Sequence, residues 1–482
     1  MGRRIGLGIL AIIVIIVAAA AITPYFVGRA AESNFKAQIA YVNARYPNVV
    51  VHVDSYHRGF YSSEAELSFA VGAGTTGDTA EHVWQLLFGS DMSVTKIHLR
   101  INHGPIPFAA FGDGHVNFMP VLYSADFRGE SASSLSLIAI LKPDAYVVQT
   151  FTGSTDTTLT IPPGKFNLGP LTTTWQGGRF SDSLNSAHDR MHYSGEIKSF
   201  GFRYQDAKTN KNYGGSFKGF DMSGTKAQAG HGFWTGEDRI TSKGAQFDRD
   251  NKPTLTLAGA DYRGGTTETS DGQWLGASGQ WQQRGGQLLG WNWSSLDLQG
   301  ALNKLDAAGL HQAMEDLRAA QKRGEKVSES SSLALLYSAL PKAIKPETRG
   351  NLKLVLNAPD GNLDFNLSGG FDVPLPAAAA ASAGSSGAAL LAQRADWHLT
   401  VDFDRELVDG FSTQVLGGAA AAQSVDQTIA QWQKQGYLQA DAGGGRYHSD
   451  IVYRAGKVTI NGHVVKTGGD EAQSAPSPAS SN

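Results

Sequence analysis

The sequence predicts a mainly β (α+β) protein: an N-terminal transmembrane helix followed by a large, extended, mostly antiparallel β-sheet body with a few packed helices. Three observations carry this. An uncharged apolar run from Ile5 to Ile22 follows Arg3-Arg4 and closes at Thr23-Pro24, about the length a helix needs to cross a bilayer. The 482 residues include 57 Gly, 17 Pro and only 18% charged side chains, a composition suited to many strands and tight turns. The strand-like segments alternate apolar with polar residues, the habit of antiparallel sheet with one wet face, whereas buried parallel strands read as continuous apolar runs.

Arg3 and Arg4 keep the leading end in the cytoplasm by the positive-inside rule, which places the body on the far side, the periplasm of a bacterium. Ala18 to Ala21 offers the small residues of a signal cleavage site, so a cleaved signal is the alternative. The run is longer than a usual signal core, and Phe26, Ala30, Phe35, Ile39 and Val42 continue at helical spacing across Tyr25 to Tyr46, which favours an uncleaved anchor.

Strands are predicted next at Val49–Val53, Ala65–Val71, Thr95–Ile101, Thr157–Ile161, Ile197–Tyr204, Thr254–Leu257 and Trp291–Leu298. Leu302, Leu305, Leu310, Met314 and Leu317 are spaced for one helix face, and Leu333 to Ile344 reads as a second helix. Leu352, Leu354 and Leu356 alternate up to the turn Pro359-Asp360-Gly361, and Leu363, Phe365 and Leu367 alternate after it, a hairpin with its turn chemistry visible. Ala377 to Ala389 reads as a loop. Trp397, Leu399, Val401 and Phe403 form a strand; Val425, Ile429 and Trp432 define a helix that stops near Gly436; and Tyr447–Tyr453 with Val458–Val465 form a second hairpin. The expected organisation is therefore 1–24 cytoplasmic tip and anchor, 25–300 β-rich region, 301–350 helical segment, 351–466 C-terminal hairpins and helix, and 467–482 disordered tail.

The absence of cysteine excludes disulfides, thiolate metal sites and cysteine nucleophiles. A formal net charge of −3 argues against a nucleic-acid partner. The chain has no H-E-x-x-H, G-x-S-x-G or P-loop. Gly72-Ala73-Gly74-Thr75-Thr76-Gly77 matches G-x-G-x-x-G, but the strand before it is half polar and no βαβ unit follows, so it reads as a flexible turn. Asp402 and Asp404 share one side of a strand and read as its wet face. Trp274, Trp281, Trp291 and Trp293 cluster in sequence, in a pattern used for cleft lining and more commonly for packing. No catalytic, cofactor or metal residue is assigned.

Two histidine-bearing turns stand out. In Tyr56-His57-Arg58-Gly59-Phe60-Tyr61-Ser62-Ser63 the glycine permits a tight turn and the serines can bond nearby backbone. In His103-Gly104-Pro105-Ile106-Pro107 the prolines stop a strand. The chemistry is that of sheet corners, with each His and Arg tying down a carbonyl or carboxylate.

These markers, with Gly436-Tyr437-Leu438, Tyr447 and Tyr453 to Asn461-Gly462, resemble the YdgA-like family of bacterial envelope proteins, a domain-of-unknown-function family. The resemblance runs nearly the full chain, although the Gly-rich stretch Thr157 to Gly290 carries no marker. It implies a single-pass inner-membrane protein with its N-terminus cytoplasmic and its body periplasmic, and it implies no reaction. Tyr56, His57, Arg58, Gly59, Ser62, Ser63, His103, Gly104 and Pro105 are expected to be structural. The expected role is non-catalytic, as an interaction or structural protein of the envelope. The alternative is a lipid-binding or lipid-transfer β-groove, with the inner membrane and phospholipid or another envelope protein as partners.

Overall fold

The computed structural model describes residues 26–44, 49–71, 96–103, 121–130, 140–322, 342–371, 394–454 and 456–465. Two compact units divide the chain: unit 1 is Met1–Tyr204, Lys218–Gln228 and Glu315–Leu335, and unit 2 is Gln205–Phe217, Ala229–Met314 and Leu336–Asn482.

The described residues open with α1 (26–44). There follow β1 (Val49–Arg58), β2 (Ser62–Val71), β3 (Lys96–His103), β4 (Val121–Glu130), β5 (Asp144–Thr150), β6 (Thr155–Ile161), β7 (Gly164–Leu168), β8 (Leu171–Trp175), β9 (Gly178–Leu184), β10 (Arg190–Ile197), β11 (Phe200–Asp206), β12 (Lys211–Phe217) and β13 (Phe220–Gln228). In unit 1 the antiparallel order is β1–β2–β3–β4–β5–β6–β9–β10–β13. A smaller set, β7–β8–β11, forms beside it.

The predicted helix is α1, but of the predicted stripe Phe26 and Ala30 are exposed, and Val27 and Ala31 take their place on the packed face. Ala31 and Phe35 enter a core with Val51, Ala65, Leu67, Leu99, Ile101, Tyr123 and Ala125, and Ile39 and Val42 pack at its margin. The stripe recurs at the spacing of one helix face. Near the end of α1, the Asn43 amide donates to Val51 O at 2.9 Å and accepts from Val51 N–H at 2.8 Å. One side chain thus imitates a neighbouring strand and satisfies part of an otherwise open edge.

Strands of the main sheet leave it at short corners. The backbones of two adjacent corners bond to each other, Lys198 N–H to Gly177 O and Gln176 N–H to Ser199 O, both at 3.0 Å. Gly219 sits against the same corner with φ +101°, and an added Cβ would fall on the carbonyl oxygens of Ile197 and Lys198. A left-handed backbone pressed against two carbonyls admits only glycine.

Unit 2 takes up β14 (Trp234–Ser242), β15 (Ala245–Arg249), β16 (Lys252–Leu257), β17 (Ala260–Glu268), β18 (Trp274–Gln283), β19 (Gly286–Leu288), β20 (Trp291–Trp293), β21 (Ser295–Asp306) and, only as far as Met314, the helix α2 (Ala307–Lys322). It continues with β22 (Arg349–Ala358), β23 (Gly361–Phe371), β24 (Ala395–Asp404), α3 (Arg405–Gln414), α4 (Ala419–Lys434), β25 (Gln439–Ala440), β26 (Arg446–Arg454), β27 (Lys457–Ile460) and β28 (His463–Val465). Its main sheet runs β14–β17–β18–β21–β22–β23–β24–β26–β27–β28, with β25 on β26. The second sheet runs β12–β15–β16–β19–β20. The corners repeat here, with Arg284 N–H to Gly259 O at 2.9 Å and Ala258 N–H to Gly285 O at 3.0 Å.

The mainly β, antiparallel expectation holds, and some of its details change. Val458–Val465 is not one strand: it turns at Asn461-Gly462 into β27 and β28, which pair with each other. Ile197–Tyr204 is not one strand: it breaks at Lys198-Ser199 into β10 and β11, which pair in different sheets. Trp291–Leu298 breaks likewise at Ser294 into β20 and β21. Leu302 and Leu305 belong to β21, not to a helix, because pairing with β18 extends that strand as far as Asp306. The helix starts only at Ala307, where the Asp306 carboxylate accepts the Gly309 N–H at 3.2 Å, an N-terminal cap. The apolar run Ile5–Ile22, the turn Gly72–Gly77, most of Leu333–Ile344, the loop Ala377–Ala389 and the tail 467–482 lie outside the described residues. Among the described residues no helix is long and apolar enough to cross a membrane.

Candidate functional site

The first marker turn meets His103, the one described residue of the second, in unit 1. Gly59 N–H donates to Ser62 O at 2.8 Å and closes the β1–β2 turn, and His103 N–H donates to Tyr61 O at 3.0 Å. Ser63 Oγ lies 3.2 Å from His103 Nε2, and both residues are 1% exposed. α1 closes over the imidazole at Gly28, where a Cβ would stand 2.6 Å from His103 Cε1. Tyr56 faces α1 too, its ring 5.6 Å from that of Phe35. Arg58 pairs with Glu32 at 3.0 Å. A hydrogen bond from Lys36 and the charges of Lys36 and Arg58 hold the Glu32 carboxyl below its usual range. Ser62 is half-buried and lies opposite Asn102. His57 is exposed on the other face of β1, so the two histidines do not converge. Gly104 and Pro105 lie outside the described residues.

A serine 3.2 Å from an imidazole has the spacing of a nucleophile and base. The pair is closed to solvent and joins the helix-facing side of β2 to β3. The neighbouring Tyr123 donates to Gln38 of α1 at 3.2 Å, and burial pushes its phenol up from 10.0 to about 12. A raised folded-state value leaves stability intact below about pH 10 and removes it as pH rises through about 12. Denaturation curves across that window are expected to lose about 2–3 kcal/mol from this group. Tyr123→Phe should abolish that part of the fall while costing about 1 kcal/mol at neutral pH for the bond to Gln38.

Unit 2 carries a different feature. Register places Trp281, Leu298, Leu354, Phe365 and Val401 in one row across five strands. Leu352, Leu367, Leu399 and Ile451 form the next row to one side. Leu296, Leu356, Leu363, Phe403 and Tyr447 form the row to the other. Partners across strands share a face, so these rows make one continuous apolar surface. On the second sheet Phe247, Leu255, Leu288 and Trp291 align in the same way.

α3 touches both sheets, at β20, β23 and β24, and its Phe411 meets Trp291 edge-on at 5.2 Å. With α4 it covers one end of the surface, where Ile429, Leu438 and Tyr447 are buried against Phe403, Val408 and Val425. Away from this end the surface is open: Leu298 and Leu352 are each 37% exposed. Large exposed apolar patches in general are features of interaction or ligand surfaces.

The reverse face is polar and internally paired. Asp402 meets His448 at 2.9 Å, Asp404 meets Arg446 at 3.6 Å, and Arg446 also reaches Asp364 at 3.1 Å. The paired aspartates are thus the wet face of β24, as their alternation suggested. The tryptophans do not form one cleft: Trp274 is across from Asp306, Trp281 is on the apolar face and Trp291 and Trp293 are on the second sheet. Among the described residues no group of three His, Cys, Asp or Glu could hold a metal ion. The separate alternations were readable in the sequence; their fusion into one surface needed the register.

No curated protein and no solved structure matches the chain. The family described as bacterial protein of unknown function (DUF945) matches residues 7–467. That span takes in α1, both marker turns and the apolar face of unit 2, in agreement with the YdgA-like resemblance: the chain belongs to this bacterial family of unknown function, DUF945.

Proposed function

We propose that this chain is a non-catalytic protein of the bacterial cell envelope, held in the inner membrane by Ile5–Ile22 with its body in the periplasm, and that the apolar face of unit 2 holds phospholipid acyl chains. The observation that carries the reading is that face, continuous over six strands and open at Leu298 and Leu352. From β18 to β26 it spans roughly five strand spacings, ~24 Å, more than the ~15 Å of one membrane leaflet. Each methylene withdrawn from water onto it contributes about 0.8 kcal/mol. An anchor of the length of Ile5–Ile22 would hold the body beside its lipid source.

Mass spectrometry of organic extracts tests this. Full-length protein purified in detergent is expected to carry phospholipid above a matched membrane-protein control. Leu298→Asp and Leu352→Asp, each at an already part-exposed position, should strip it several-fold by setting a carboxylate against the chain. A clean extract from the native protein would overturn the lipid reading and return the face to a protein partner, the other envelope role the sequence suggests.

A further inference from the structure

Next to the covered end of that face, on β20 of the second sheet, stand two unmet donors. The indole N–H groups of Trp291 and Trp293 are closed to solvent and have no hydrogen-bond partner. Trp291 is only 5% exposed. Standing two residues apart on β20, they project to one side of the strand, with ring centroids 5.7 Å apart and planes at 32°. Trp291 is walled by Phe411 of α3, and Trp293 lies against Gly286, where a Cβ would overlap its ring. An indole nitrogen only donates, and a buried donor without an acceptor costs about 1–3 kcal/mol.

Resting on the lipid reading above, we propose that this end, between Trp291, Trp293 and α3, receives the carbonyl oxygen of a lipid acyl ester. The chemistry selects that group. An ester carbonyl accepts hydrogen bonds and donates none, which matches a pair of side chains that only donate. A trapped water would need acceptors for its own hydrogens, and these two side chains supply none. A charged headgroup would shed its hydration against two neutral donors, at a cost they cannot offset. The acyl chain would then run from the tryptophans along the open rows toward Leu298 and Leu352, tethered at one end.

The test uses the full chain in amphipol with isotope-labelled tryptophan, titrated with methyl palmitate, palmitate and hexadecane while the indole N–H resonances are followed by NMR. Methyl palmitate is expected to move two of the nine indole signals, those lost in Trp291→Phe and Trp293→Phe. It should bind about tenfold more tightly than hexadecane, the worth of roughly one to two hydrogen bonds. Trp293→Phe, at the less buried position, should erase that preference while hydrocarbon binding persists. Palmitate moving the same signals as strongly as the ester would overturn the choice of a neutral carbonyl, because its carboxylate is charged. Equal binding of ester and hydrocarbon with the indole signals unmoved would sink the proposal and leave the groove standing. Failure of all three probes to bind would remove both.

Discussion

Alanine at position 219 is expected to destabilise unit 1 by ~3 kcal/mol. Gly219 has φ +101°, and the added methyl would fall on the Ile197 and Lys198 carbonyls. Both obstructing atoms are backbone, so no side-chain rotation relieves the overlap. The corner must move, and with it the Ile197–Phe220 pairing that begins the β10–β13 ladder. Hydrogen exchange on the full chain should show β10 and β13 losing protection before β1 to β4. Gly169→Ala is the matched control. Gly169 also has a positive φ, +54°, but nothing lies within 4 Å of the methyl, so only the left-handed backbone is penalised, by about 1–2 kcal/mol. Equal costs at the two positions would show that the packed corner is not what constrains Gly219.

The second large effect is expected at Phe35. Its side chain is 6% exposed, within the core that joins α1 to β1 through β4. Phe35→Ala removes a buried aromatic and leaves a cavity, at about 3–5 kcal/mol. α1 has few other apolar anchors, chiefly Val27 and Ala31, so the loss should appear as release of the helix rather than unfolding of the sheet. Limited proteolysis should then cut within α1 while the β-strands stay protected. Tyr41→Ala on the same helix, where the ring is 65% exposed, should stay within about 0.5 kcal/mol. If Phe35→Ala leaves α1 resistant, the polar ties, Gln38 to Tyr123 and Asn43 to Val51, hold the helix without the aromatic. In the proposed topology this helix links the membrane segment to the body, so its release would free the body from a fixed seat near the bilayer.

Much of this architecture was legible in the residues. The stripe Phe35, Ile39 and Val42 announced α1, and the turn at Pro359-Asp360 announced β22 and β23. Gly59 announced the tight turn, and Arg58 meets a carboxylate, that of Glu32, whereas His103 lies against the Ser63 hydroxyl. Where the reading failed, long-range pairing had overruled local pattern. Leu302 and Leu305 fit a helix face, yet the partner strand β18 held them extended. Ile197–Tyr204 reads as one run because nothing local distinguishes strand from corner at Lys198-Ser199. The bend is set by the glycine corners of neighbouring strands, Gly177 and Gly219, distant in sequence.

By itself the sequence determined the class of the fold, the place of α1 and the C-terminal hairpin β22–β23, and the family, because alternation, helical spacing and turn residues act within a few positions of themselves. It also separated a wet side from an apolar side on the strands it marked. Only the tertiary structure decided which apolar sides join. Register is a relation between strands, and a shift of one residue reverses every face. It also placed Phe411 against Trp291, 120 positions earlier in the chain. That contact covers one end of the apolar surface, and residues so far apart in sequence reveal it only when the chain is folded.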